Sequence, residues 1–157
     1  MATTDITPVL ARLKAVIETV PNIGLVYPYP LYNRDDLGTL LVSEIGKVRT
    51  LRAWAIVGPT MAGRNMVQRP GGHIERTWTY TIHGYEGLTP NGDSIVTVQA
   101  NALAICDAID IDPDLNGTVH RSQPCSWTLG PQNLISWHGI ALSTVQIVKQ
   151  VTTLSTP

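Results

Sequence analysis

Two runs in the middle of the chain, "VRTLRAWAIVG" and "IERTWTYTIHGYEG", alternate with a period of two and are filled by Trp, Tyr, Thr and Ile. That pattern predicts β-strands, and two such runs in succession predict a long antiparallel hairpin. In the first run Arg52, Trp54 and Ile56 share one face while Leu51, Ala53, Ala55 and Val57 share the other, so both faces carry apolar surface. In the second, Ile74, Trp78, Tyr80 and Ile82 alternate with Thr77, Thr79 and Thr81. A sheet that is apolar on both sides needs cover on both sides. A neighbouring subunit and the chain's own long loops are the two candidates.

Helices are predicted on either side of this hairpin. In "TPVLARLKAVIETVP", Val9, Leu13, Val16, Ile17 and Val20 form one apolar stripe, with Thr7 as expected N-cap, Pro8 at the first helical position and Pro21 as the stop. In "DSIVTVQANALAICDAID" the cap is Asp93 or Ser94, and Ile95, Val98, Ala102, Ile105 and Ile109 share a face. A short helix is also expected within "LYNRDDLGTLLVSEIGKV", from Leu37, Leu40, Leu41 and Ile45, although Gly38 argues against it. "IGLVYPYP" reads as a short edge strand because Pro28 and Pro30 cannot continue a central one. The C-terminal part predicts two more strands, "TVHRSQPCSWTL" and "NLISWHGIALSTVQIVKQV", separated by a turn at Gly130-Pro131. The final run is apolar on both sides, through Ile135, Trp137, Val145 and Ile147 against Leu134, Ile140 and Leu142.

These elements make a small α+β domain spanning residues 1–157, with a mainly antiparallel or mixed sheet packed by two or three helices and a long extended hairpin loop. With 43% hydrophobic and 15% charged residues the chain suits one globular core, and a formal net charge of −1 gives no basic footprint for holding nucleic acid. The N-terminal stretch has no basic region followed by an apolar one, and no apolar run reaches membrane-spanning length, so neither a secretory signal nor a membrane partner is expected. Cys106 and Cys125 fit no zinc spacing and are read as free thiols.

Little in the sequence supports an enzyme. Asp112, Asp114, Asn116 and Gly117 satisfy the opening of an EF-hand loop, but Gln123 stands where the bidentate Glu belongs and a strand-like run replaces the exiting helix. The segment is expected to be a turn, with Asn116 and Gly117 at positive φ. His73, His83, His120 and His138 are scattered, so no metal and no cofactor are expected. No serine sits in a nucleophile elbow, and "GPTMAGR" lacks the Gly-Lys-Ser/Thr ending of a phosphate loop. A ligand-binding or hydrolytic site would have to be assembled from His83, His138 and Asp107.

The segment from Gly58 to His73, "GPTMAGRNMVQRPGGH", is longer than hairpin loops normally are, which marks it as functional or disordered. Its glycines Gly58, Gly63, Gly71 and Gly72 make ordering costly, so it is expected to be mobile in a free subunit and to order against a neighbour. There Arg64 and Arg69 would bond to carboxylates or carbonyls, and Met61 and Met66 would fill gaps. With Arg52, Trp54, Arg76 and Trp78, whose residue types dominate interface hot spots, they form the expected contact surface.

The order of "ITPVLARLKAVIETVPNIGLVYP", then "WTYTIHGYEGL" leading into a helix, then "DLNGTVH" and a long final strand resembles the tail terminator, or tail completion, proteins of tailed bacteriophages over nearly the whole chain. The resemblance implies a small α+β subunit that closes into a ring, usually a hexamer, on the head-proximal end of the tail tube. Such a ring stops tube polymerisation and offers a docking surface to the head connector. It is assembled in the host cytoplasm into the virion, works by protein contacts, and lets DNA pass without binding it specifically. The segment Leu31 to Val48 departs from the resemblance, which leaves open a neighbouring role as a head-tail joining, adaptor or stopper protein of the neck.

Overall fold

In a computed structural model, described over residues 6–31, 42–45, 48–67, 72–88, 93–137 and 140–155, the chain opens with helix α1, Thr7–Glu18. Val9, Leu13, Val16 and Ile17 are its buried stripe, as the 3.6-residue period requires. Ile6, not Thr7, occupies the cap position, and no side chain caps it, because Thr7 already has helical backbone and Pro8 fills the first turn. Thr19 ends the helix by turning both its N–H and its hydroxyl onto the carbonyl of Val16. Asn22 and Gly24, both at positive φ, swing the chain into strand β1, Leu25–Tyr27, which lies parallel to Ala53–Ala55 and stops where Pro28 begins.

Strand β2, Val42–Ile45, pairs antiparallel with Val48–Leu51 across only two intervening residues. Ile45 is therefore a strand residue and not part of the expected helix. Val42 and Ile45 are β-branched and suit a strand, whereas the leucines that suggested a helix, Leu37 to Leu41, lie outside the described residues. The hairpin of the sequence reading is strand β3, Val48–Val67, against strand β4, His73–Gly87. Helix α2, Asp93–Asp110, follows and buries Ser94, Val98, Ala102, Ile105, Cys106 and Ile109. Asp93 already lies within the helix, so its cap position falls outside the described residues. The last strands are β5, Arg121–Ser122, β6, Ser126–Trp137, and β7, Ile140–Ser155.

The seven strands form one mixed sheet in the order β1-β3-β4-β7-β5, with β2 attached to β3 and β6 to β7. All neighbours are antiparallel except β1 and β3. The expected turn at Gly130-Pro131 is instead an irregularity inside β6, where the pairing with β7 slips between Leu129 and Leu134. Pro131 has no N–H to give a ladder, and β6 is an edge strand, the place in a sheet where proline is tolerated. The chain reverses later, between Trp137 and Ile140, so the expected final strand is divided between β6 and β7.

Both helices cover one face of the sheet. Trp54, Ile56, Tyr80, Ile82, Val145, Ile147 and Val151 meet the buried stripes of α1 and α2 there in a single cluster. Trp54 is 0% exposed, and its indole N–H donates to the carbonyl of Ile23 at 3.0 Å. Its ring lies over Gly84, the residue paired with it on β4, where a Cβ would sit inside the van der Waals envelope of the ring. Glycine is required at that position by close approach. Among the described residues the opposite face carries a smaller cluster, Ala53 and Leu142 with the partly buried Leu25, Tyr27, Leu31, Leu51 and Tyr85. Both faces are apolar, as the alternation predicts.

Candidate functional site

Residues 58–67 of the expected loop are strand. They continue β3 and pair with β4 through to Val67 and His73. Sequence periodicity hides this because two bulges interrupt it. Gly58 and Pro59, joined by a cis peptide, stand opposite the single residue Tyr80, between the pairs Val57↔Thr81 and Thr60↔Thr79. Ala62 is then extra between Met61↔Trp78 and Gly63↔Thr77. The strand pairing returns each time, so backbone hydrogen bonds carry the order that the glycines appeared to forbid.

The bulges also decide which residues share a face. On the side that α1 and α2 cover lower down, the rows of the extension are Met61, Trp78 and Val151, then Arg64, Arg76 and Thr153. Met66 pairs with Ile74 in the row beyond. Four expected contact residues, Met61, Arg64, Arg76 and Trp78, are thus brought onto one face, Met61 and Arg64 exposed on it and Trp78 and Arg76 half-buried. Met61 is 54% exposed, and Arg64 is exposed with no ion-pair partner among the described residues. Trp78 is half-buried: its ring rests on the edge of the core and its indole N–H donates to the Thr153 hydroxyl at 2.9 Å. Arg64 and Arg76 stand directly opposite each other in this row. Glu75, between them in sequence, belongs to the other face and accepts from Arg121.

Two other expected contact residues are elsewhere. Trp54 is core, as described. Arg52 forms a bidentate pair with Glu86, at 2.6 and 2.8 Å, and donates a third bond to the carbonyl of Asn22, which ties β3 to β4 and to the entry of β1. Both are absorbed by the fold because they precede the first bulge, where the helices lie over the sheet. Arg69 lies outside the described residues.

The acidic loop turns the chain between α2 and β5. Asp112 accepts the N–H of Asn116 on one oxygen and bonds from Arg12 Nη2 and Nε, at 2.8 and 3.0 Å, on the other. These bonds, first the backbone one and then the guanidinium, hold its carboxyl below the ordinary aspartate value. Asn116 and Gly117 take positive φ as expected, and Leu115 does so as well, with its side chain fully buried. Among the described residues no group of three or more His, Cys, Asp or Glu is placed to hold a metal ion. His83 and Asp107 are not brought together: His83 alternates with core residues and faces the other side of the sheet, and Asp107 points outward from α2. His138 lies outside the described residues.

Two features escaped the sequence reading. Lys149, 1% exposed, donates to Asp110 at 2.8 Å and to the carbonyl of Gln123 at 2.7 Å. Asp110 also receives the N–H of Cys125, so one carboxylate joins the end of α2 to the approach to β6. Beside it the free thiols of Cys106 and Cys125 share a hydrogen bond, which makes Cys106 the more acidic sulfur and, with burial, pushes Cys125 up. The alternation around Lys149 was the available signal, since it falls between Ile147 and Val151 on the core face. The second feature is the outer face of α2, where the exposed residues Val96, Ala100 and Leu103 line up with Asp93 and Asp107.

The fold is thus that of a small α+β domain in which, among the described residues, two helices lie on one face of a mixed sheet. No family model matches the chain, and no curated protein matches it. Among the described residues no helix is long and apolar enough to cross a membrane.

Proposed function

We propose that this chain is a structural ring subunit of the tail terminator kind. It stands at the head-proximal end of a phage tail tube, ends tube growth and presents a surface to the head connector. The observation that carries the reading is the hairpin extension, in which Met61, Arg64, Arg76 and Trp78 share a face, with Met61 and Arg64 exposed and Trp78 and Arg76 half-buried. Met, Trp and Arg are enriched at protein contacts, and a strand pair built into the sheet presents them on a rigid support. The order of segments quoted from the sequence points the same way. A near-neutral chain also suits a ring through which DNA passes, because it would not retain the duplex.

Function in this reading is assembly, with self, tube protein and connector as partners and no reaction catalysed. A second reading, a joining or stopper protein of the neck, is favoured by one observation: β2 falls in the segment that departs from the resemblance. The test is native mass spectrometry over a concentration series, followed by incubation with purified tail tubes and, separately, with portal-bearing heads. A six-subunit ring that binds and caps tubes is the expected result. A ring that binds only heads transfers the assignment to the neck, and a monomer at every concentration overturns both.

A further inference from the structure

The outer face of α2 is a surface a soluble helix normally fills with charge. Here Val96 is 66% exposed, Leu103 52%, and Ile111, just past the helix end, 83%. Ala100 lies between the first two, and Asp93 and Asp107 complete the line. Neither aspartate has an ion-pair partner among the described residues. The stripe is apolar and acidic. The face of the hairpin extension that bears the exposed Met61 and Arg64 is its complement, apolar through Met61 and the half-buried Trp78 and basic through Arg64 and the half-buried Arg76.

We infer that the hairpin face of one copy seats on the outer face of α2 in the next copy, an inference that rests on the ring reading above. The two surfaces match in length. Eight extended residues, 60–67, reach about 26 Å at roughly 3.3 Å each, and the 18 residues of α2 span about 27 Å at roughly 1.5 Å each. Like-with-like pairing is disfavoured, because two hairpins would oppose arginines and two helices would oppose aspartates. Each copy therefore offers one surface and receives the other, which is a heterologous contact that closes by rotation. Addition of strands at the sheet edges is a poorer route. Pro59 lies in the bulge on β3, and Pro131 in the irregular part of β6, so both edges are blunted.

The test uses two charge reversals at exposed positions. Arg64→Asp relieves the opposition to Arg76, and Asp107→Arg places a cation in the last turn of a helix, so each subunit keeps its fold, checked by its urea melt. Each variant alone should raise the half-assembly concentration by at least about tenfold, the scale of a lost interface charge pair. An equimolar mixture of the two variants should regain assembly, because every hairpin then meets a helix of opposite charge. The double variant, Arg64→Asp with Asp107→Arg, should regain it too. Wild-type assembly by both single variants, or no recovery in the mixture and the double variant, overturns this contact while the ring reading stands. A wild-type chain that never assembles overturns the contact and the ring together.

Discussion

Removing the Trp54 indole takes away a side chain with no exposed surface and leaves the Ile23 carbonyl without its donor. Trp54→Ala is expected to cost about 3–5 kcal/mol in urea unfolding. Trp78→Ala should keep a cooperative melt with a clearly smaller loss, because Trp78 only borders the core. The two residues look alike in sequence, each two positions after an arginine within an alternating run. What separates them is the helix layer, which no local pattern encodes. A pH effect belongs to His83, whose burial holds its imidazole below the ordinary 6.5. As pH falls through 6.5 the unfolded chain takes up a proton that the folded chain resists, so stability present above that value is lost down to the lower folded one. Urea midpoints measured across this interval should fall for the wild type and flatten for His83→Gln.

Among the elements, α1, α2 and the paired halves of β3 and β4 were legible because each holds one period for its whole length. The hairpin extension was not. Glycine and proline mark loops when read locally, yet here they occupy bulges in a ladder whose hydrogen bonds come from the backbone and leave no side-chain pattern. The same reason hid the continuity of β6 through Pro131. One consequence is practical. Replacing residues 58–73 by a two-residue turn would ask Val57 and Ile74 to meet, although Val57 stands opposite Thr81, seven residues further along β4. The extension must be probed by surface substitutions instead. The acidic loop is a turn tied by Arg12 and the Asn116 N–H, so millimolar calcium should leave the melting temperature unchanged. Asp112→Ala should lower it equally with and without calcium, since the bonds lost are internal. A calcium-dependent rise in the wild type would make the loop a metal site.

At the scale of the whole molecule, the contact surface proposed for the subunit was partly legible: residue types pointed to Met61, Arg64, Arg76 and Trp78, while their common face depended on two bulges. The α2 stripe could have been found by asking which apolar residues fall opposite the buried ones. Hydrogen exchange offers a test of how copies meet. Along 60–67, the N–H groups turned toward β4 should be protected and those turned to the open edge should exchange rapidly, in the free subunit and in the assembly alike. Protection appearing along the whole run on assembly would mean that strands join edge to edge. The continuous pairing of β4 with β7, from Ile74↔Ser155 to Gly87↔Leu142, also has a mechanical meaning. β4, one of the two strands that bear the extension, also crosses the core, and its pairing with β7 has no irregularity along that length. A pull on β4 along its own direction therefore loads the β4–β7 ladder in shear along its whole length, so a neighbour gripping that strand is anchored through the core and not through the extension alone.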